Sequence, residues 1–278
     1  MSCPSLESLS IVDGGRNPLK NLVIDAPKLN EFCMAKLSCE DVLDESSEIK
    51  VLAPNLRVFQ CDNCMTRKFS FKDLSRLHHA CFRLMTDYHQ DQFYAMKNIN
   101  AQRMIQAVSP HIKYLTFYEG LAIEAFFGSP SVLENASLQF CNLKYLSLTA
   151  CLHRNSVIAI MHLLKLSPYI GTLSLLLMNK HQDPANMPNC DNLCISKESL
   201  LQHLRLVKIE GVMGSGCELK LMEILLKNAV ALEKVSICCS EQAMHYMLVN
   251  FNNKVNEIPR ASSPQISILV PCPVRAFL

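Results

Sequence analysis

The chain has 278 residues, of which 49% are hydrophobic and 19% are charged, and its formal net charge is +2. The basic residues are dispersed without a Lys/Arg block, so the composition argues against nucleic-acid binding. No apolar run approaches the roughly 18 residues needed to cross a bilayer, and the N-terminus lacks the charged lead and apolar stretch of a secretory signal. We therefore expect a core-rich protein of the cytoplasm or nucleus that binds neither membrane nor nucleic acid.

A short apolar motif recurs along the chain and predicts its fold. The motif is a leucine or isoleucine, two residues, a second apolar residue, one residue and a third apolar residue. In chain order its nine copies are Cys3–Ile11, Leu19–Ile24, Ala26–Met34, Ala53–Cys61, Ser109–Phe117, Cys141–Leu148, Ser167–Leu175, Leu204–Ile209 and Ala231–Ile237. They indicate an α/β leucine-rich-repeat solenoid, an open curved parallel sheet with helices and loops on its convex side. Unrelated amphipathic strands in an ordinary α/β domain are the alternative.

The spacing of the copies predicts how each repeat closes. From residue 112 onward the first apolar positions are 27–34 residues apart, which leaves room for a strand and a helix. The first three copies begin only 13 and 10 residues apart, so we expect loops to close them. The interval from 56 to 112 is about two repeats long, and the alternation over His79–Leu84 would supply a hidden strand.

Residues two apart in a strand share a face, so the motif also predicts the core. The predicted inward residues are Leu22, Ile24, Leu115, Phe117, Leu146, Leu148, Leu173, Leu175, Val207, Ile209, Val235 and Ile237. Four apolar stripes predict helices behind the second half of the sheet, over Ala101–Val108, Val157–Leu164, Leu221–Leu225 and Met244–Phe251. Asn155-Ser156 and Ser240 are the expected N-caps of the second and fourth helices.

No catalytic or cofactor motif stands out. The Gly214-Ser215-Gly216 turn could cradle a phosphate, but it lacks the lysine-threonine pair of a phosphate-binding loop, and a helix start is the ordinary interpretation. Cys61-Asp-Asn-Cys64 is a single C-x-x-C, whereas a structural zinc site needs four ligands. We therefore expect the cysteines to be free thiols, with Cys61 packed in the core, and we expect no bound metal and no cofactor.

The C-terminal part resembles a known plant family. The segment Leu200–Ile237 is similar to the FBD region of F-box/FBD/leucine-rich-repeat proteins, and Ile258–Leu269 resembles the closing strand of that family. The matching positions are Leu204, Val207, Ile209, Gly211, Glu218, Leu219, Leu225, Leu226, Asn228, Ala229, Leu232, Glu233 and Lys234. The resemblance predicts irregular leucine-rich repeats over 1–199 and FBD-like C-terminal repeats, continuous with the solenoid, over 200–278.

The resemblance implies a non-enzymatic protein-interaction module, the substrate-recognition portion of an F-box-type ubiquitin-ligase receptor. No F-box pattern occurs in the sequence, so a Skp-type adaptor would bind only if a longer form supplied one. The alternative is a solenoid with its own small-ligand pocket or enzyme-like activity.

An unidentified protein substrate is expected to bind the outward strand positions, where solenoids present their binding surfaces. The residues expected to contact it are Tyr114, Thr116, Tyr145, Ser147, Thr172, Ser174, Lys208 and Lys234. Further outward positions are Ser8, Ser10, Asn21, Val23, Glu31, Val58, Gln60 and Ser236.

Overall fold

The computed structural model of the chain describes residues 3–14, 21–36, 48–63, 67–83, 93–118, 120–128, 138–178 and 201–269. Its strands are β1 (Ser8–Asp13), β2 (Leu22–Asp25), β3 (Glu31–Lys36), β4 (Glu48–Leu52), β5 (Val58–Asp62), β6 (Lys68–Phe71), β7 (His79–Arg83), β8 (Tyr114–Tyr118), β9 (Tyr145–Ala150), β10 (Thr172–Leu177), β11 (Leu206–Val212), β12 (Lys234–Cys239) and β13 (Gln265–Leu269). Its helices are α1 (Phe93–Val108), α2 (Gly120–Phe127), α3 (Arg154–Lys165), α4 (Gly216–Asn228) and α5 (His245–Glu257).

Ten strands form one open parallel sheet, which confirms the leucine-rich-repeat solenoid. The strand order is β1-β3-β5-β7-β8-β9-β10-β11-β12-β13, so each repeat pairs with the next one along the chain. The hidden repeat is confirmed, because β7 lies between β5 and β8 at the predicted His79 position. Strand β10, before the predicted boundary at residue 200, pairs directly with β11 after it, and the division into 1–199 and 200–278 stays a prediction.

The motif positions lie in register and build the core. Leu115 pairs with Leu146, which pairs with Leu173, and the second apolar position of each strand does the same. All ten predicted inward residues from Leu115 to Ile237 are at most 3% exposed. Two rows of apolar side chains therefore run the length of the sheet and pack under the helices.

The N-terminal repeats close with strands, so the prediction of loops there is wrong. The segments β2, β4 and β6 form a second parallel sheet on the covered side of the first. The predicted inward residues Leu22 and Ile24 lie in this sheet and not in the ten-stranded one. An extended chain advances about 3.3 Å per residue and a helix only about 1.5 Å, so a strand returns along a short repeat where a helix cannot.

Phenylalanines fill the space between the two sheets. The Phe59 ring of β5 contacts Phe69 and Phe71 of β6 at centroid distances of 5.6 and 5.2 Å. It also contacts Phe32 of β3 at 5.9 Å and Phe82 of β7 at 6.2 Å. Edge and stacked arrangements of this kind are favourable aromatic geometries. These rings belong to, or pack against, one hydrophobic cluster that continues from the two-sheet part of the chain into the helical part.

The helices confirm the four predicted stripes but differ in their starts. The N-cap of α3 is His153, two residues before the predicted Asn155, and the N-cap of α5 is Met244 in place of Ser240. Helix α2 was not predicted, because its eight residues (GLAIEAFF) are almost all apolar and show no amphipathic period. No helix in the described ranges is long and apolar enough to cross a membrane.

Side chains just before the strands join neighbouring repeats. The Asn55 side-chain amide donates to the carbonyl of Pro27 at 2.6 Å, and the Asn142 amide donates to the carbonyl of Pro110 at 2.5 Å. The carbonyl oxygen of the proline that often precedes the motif thus accepts a hydrogen bond from an asparagine side chain of the next repeat. These bonds hold the loops of successive repeats in the same register as the strands that follow them.

The Gly214-Ser215-Gly216 turn holds a carboxylate of the chain itself. The Glu218 side chain accepts hydrogen bonds from the backbone N–H groups of Met213, Gly214 and Ser215, at distances of 3.1, 2.7 and 2.6 Å. Burial raises the pKa of Glu218, and these backbone bonds oppose that rise. The donors that a phosphate would need are therefore in use, and the turn is a helix start with a capping box.

Changing Leu146→Ala should lower the free energy of unfolding by about 2–5 kcal/mol, because it opens a cavity in the core. Changing the adjacent Ser147→Ala, on the open face, should alter it by no more than about 0.5 kcal/mol. Urea titrations of the two variants measure the difference. Equal losses would contradict the alternation of the strand.

Changing Glu218→Gln should lower the free energy of unfolding by about 1–3 kcal/mol, because the turn loses a carboxylate oxygen that its buried donors need. Glu223→Gln on the same helix is the matched control, since Glu223 forms only the partly exposed ion pairs with Lys220 and Lys227. Urea titrations compare the two. Losses of equal size in the two variants would contradict the role of Glu218 in the turn.

Candidate functional site

The open face of the ten-stranded sheet is the face opposite the helices, and the outward side chains of the strands form it. The first row is Ser8, Glu31, Val58, His79, Tyr114, Tyr145, Thr172, Leu206, Lys234 and Gln265. The second row is Ser10, Cys33, Gln60, Cys81, Thr116, Ser147, Ser174, Lys208, Ser236 and Ser267. The side chains of the second row are mostly small, so they form a low surface beside the larger side chains of the first row.

The eight residues expected to contact a partner lie together on this face, in the first two rows of β8 to β12. Tyr114 is 48% exposed, and its ring centroid lies 6.1 Å from that of Tyr145 on the next strand. Lys208 is exposed and forms an ion pair with Glu210, whose hydrogen bond raises the pKa of Lys208. The structure brings these residues together, and their role in binding stays a prediction.

Two of the other outward positions were placed on the wrong sheet. Asn21 precedes β2, and Val23 lies within β2, which belongs to the three-stranded sheet. The error follows from reading every motif copy as a strand of one sheet, whereas the copy at Leu19–Ile24 closes a repeat. Neither residue belongs to the open face.

His79 extends the aromatic part of the first row, and sequence reasoning missed it. Its ring centroid lies 6.1 Å from that of Tyr114, and the His78 ring lies 6.5 Å from the same tyrosine. Burial lowers the pKa of His79, and the neighbouring His78 adds to that effect. The ring is therefore neutral at neutral pH, so His79, Tyr114 and Tyr145 form an uncharged aromatic row. The available signal was the alternation over His79–Leu84, which gives the position its outward direction.

A cysteine and a histidine lie close together but are in the wrong protonation states for catalysis. Cys81 Sγ is 3.2 Å from His79 Nε2, a separation suited to a nucleophile and its base. Burial raises the pKa of Cys81 to about 11, while the pKa of His79 is lowered. Both shifts disfavour transfer of the thiol proton to the imidazole, and the thiolate is the reactive form.

The other cysteines differ from the expectation at one position. Cys61 is fully buried in the core, as expected, whereas Cys64 lies outside the described residues. Cys217 at the start of α4 is disulfide-bonded, so the expectation of free thiols throughout is wrong there. The eight other cysteines of the described ranges form no disulfide bond. No group of three or more metal-ligating side chains that could hold an ion occurs within the described ranges.

Two glycines of the FBD-like segment are required by the backbone. Gly211 has a φ of +82°, and an added Cβ would lie 2.3 Å from the carbonyl oxygen of Leu177. Gly214 has a φ of +87°, and its Cβ would lie 2.9 Å from the carbonyl oxygen of Met247. Any other residue would therefore be strained and would clash with the neighbouring strand or helix.

Polar residues of the same motif close the turn after α4. The Asn228 amide donates to the carbonyl of Ile224 at 2.7 Å. The hydroxyl of Ser262, from the tail that resembles the closing strand of the family, lies 3.0 Å from the carbonyl of Ala229 and 3.1 Å from that of Leu232. Asn228 and Ser262 thus hold the last repeats together, whereas Lys234 of the same motif lies on the open face.

Comparison with known proteins agrees with this anatomy. A family model described as FBD matches residues 197–237. A putative F-box/FBD/LRR-repeat protein of Arabidopsis thaliana is 25% identical over 252 residues, which cover 85% of this chain and 49% of the relative. The chain thus spans about half the length of that relative. No solved structure gives a significant match. These matches support the resemblance seen in the sequence: the chain is similar to plant F-box/FBD/leucine-rich-repeat proteins in their repeat and FBD regions.

Proposed function

We propose that this chain is a non-enzymatic protein-interaction module whose open sheet face binds a protein partner. One observation carries the proposal: the face is continuous over ten strands, and the exposed Tyr114 stands beside Tyr145 on a floor of small side chains. Rigid aromatic side chains on such a surface are frequent anchors in protein interfaces. Solenoid sheets are widely used as extended binding surfaces.

The family supports a narrower role within the same proposal. In an F-box-type receptor the repeats recognise the substrate and the F-box binds a Skp-type adaptor of a ubiquitin ligase. We place this chain in the substrate-recognition role, acting in the cytoplasm or nucleus. Its remaining contact residues are Thr116, Ser147, Thr172, Ser174, Lys208 and Lys234, which surround the two tyrosines on β8 to β12.

The double change Tyr114→Ala/Tyr145→Ala should weaken partner capture at least tenfold, because aromatic anchors typically contribute upward of about 1–2 kcal/mol each. Quantitative affinity purification from plant cells, followed by mass spectrometry, measures the recovery of each partner. Tyr246→Ala is the matched control, since Tyr246 is 67% exposed on α5 and lies away from the open face. Undiminished capture by the double variant would contradict the assignment of the face.

Fusing a generic F-box sequence ahead of Met1 should confer binding to a Skp-type adaptor, and the chain by itself should not bind it. Pull-down with purified adaptor tests both forms, and circular dichroism checks that the fused protein is folded. Direct capture of the adaptor by the unfused chain would overturn the division of roles. The open face should stay available in the fused protein, so its partners should be recovered together with the adaptor.

A further inference from the structure

Basic side chains that are far apart in the sequence form a row at the leading edge of the sheet, just before the strands. The backbone there is a hydrogen-bonded ladder, in which each residue donates its N–H to the residue one repeat earlier. The ladder runs Asn30, Arg57, His78, Lys113, Lys144, Gly171, Arg205 and Glu233. Arg57, Lys113 and Lys144, which directly precede β5, β8 and β9, are exposed.

Charge of one sign is concentrated in the middle of this edge. We define the basic edge by the ladder residues at the starts of β5, β7, β8, β9 and β10, together with the residue two before and the residue one after each of them. Its members are Asn55, Arg57, Val58, Arg76, His78, His79, His111, Lys113, Tyr114, Asn142, Lys144, Tyr145, Tyr169, Gly171 and Thr172. None of these fifteen residues is acidic. The nearest carboxylate before β7 is Asp73, whose pKa is lowered first by hydrogen bonds from Ser75 and also by the nearby His111 and Arg76 of the edge.

The cations of the basic edge differ in whether a carboxylate lies near them. Arg76 and His111 interact with Asp73. Within the described part of the chain, Arg57 and Lys113 form no ion pair, whereas Arg205, just beyond the edge, pairs with Glu233 at 3.6 Å. Lys113 and Lys144 occupy neighbouring rungs of the ladder, about 4.8 Å apart along the sheet. Like charges in that position repel each other, so the edge would be stabilised by an anion that lies across both.

Aromatic rings border the cations on the same edge. Lys144 Nζ lies 5.3 Å from the centroid of the Tyr169 ring, which keeps the ammonium group near that ring. Tyr169 is 46% exposed, and Tyr114 directly follows Lys113. A ligand that lies along this edge contacts positive charges and apolar ring surfaces in alternation. A free inorganic anion would interact with the positive charges alone.

We infer that the basic edge binds an acidic, extended segment of the protein partner, with its carboxylates on Arg57, Lys113 and Lys144 and its apolar side chains on the tyrosines. This inference rests on the proposed protein-binding function and names the chemistry of the partner. From β5 to β9 the edge is three strand steps long, about 14 Å. An extended peptide covers that distance with about five residues, so alternating acidic and apolar residues fit it.

The overall charge favours a peptide over nucleic acid as the occupant. The sequence pI is 7.9 and the formal net charge is +2, whereas nucleic-acid-binding domains typically have a pI above about 9. Electrostatic complementarity over one edge suits the selection of one protein segment among many, because it speeds encounter and penalises wrong partners.

A peptide-display selection against the intact chain tests the inference. Random twelve-residue peptides, which span about 40 Å when extended and so can cover the edge in several registers, are selected on the wild type and sequenced. We expect enrichment of Asp and Glu alternating with aromatic or aliphatic residues. The selected peptides should bind at least tenfold more weakly when their acids are changed to amides, and binding should weaken with added salt.

Two charge-reversed proteins locate the site. Lys113→Glu/Lys144→Glu should lose the selected acidic peptides at least tenfold, while Lys227→Glu/Lys254→Glu, with the same change of charge on α4 and α5, should retain them. Lys113→Gln/Lys144→Gln serves if the reversed variant fails a circular-dichroism check of its fold. Enrichment of neutral or basic peptides, equal loss in the control variant, or preferential binding of single-stranded RNA or inorganic phosphate would overturn the inference.

The same selection separates this inference from the proposed function. Peptides that lack acids but lose binding in Tyr114→Ala/Tyr145→Ala would overturn the basic edge and support the open face. Peptides whose binding depends on neither the tyrosines nor the lysines would overturn both. Acidic peptides that depend on the lysines and not on the tyrosines would support the basic edge and remove the tyrosines from it.

Discussion

The in-register pairing of successive repeats is the constraint on which the rest of the structure depends. Because every strand pairs in parallel with the equivalent positions of the next, two rows of apolar side chains must lie on one face. The residues between them must lie on the other. The covered face supplies the stability through nearest-neighbour contacts. The open face needs no apolar side chains for folding, which is why it can carry a separate chemistry.

Sequence reasoning succeeded where the periodicity was unambiguous and failed where chain length decided the structure. The motif gave the strands from β8 to β12, and the helical stripes gave every described helix except α2, whose almost entirely apolar residues carry no period. In the first repeats the motif copies at Leu6 and Leu19 look alike, yet one belongs to each sheet. A closing strand and a sheet strand have the same alternation, so only the spacing between copies could have separated them.

The candidate site shows a similar division between what is local and what depends on register. The outward direction of Tyr114 and Tyr145 follows from the alternation of one strand, and the sequence predicted it. The row of Arg57, Lys113 and Lys144 does not follow from any one strand, because these residues are separated by 56 and 31 positions in the sequence. In the sequence they appear as dispersed charge. Stacking the repeats converts that dispersed charge into one edge, and the pairing register has to be known before the edge can be seen.

The residues of the FBD motif and the exposed residues of the open face are subject to different physical constraints. Gly211 has no alternative, because a Cβ would meet the backbone of the preceding strand, and Glu218 fills a set of buried donors that nothing else in the turn satisfies. Exposed positions such as Lys113 meet no such restriction, since changes at surface sites usually alter stability by no more than about 0.5 kcal/mol. A chain can therefore keep the signature that identifies its family while its exposed rows change. For this reason the match to the FBD model bears on how the last repeats are built, whereas we propose that the exposed rows and the basic edge of the open sheet determine which partner binds.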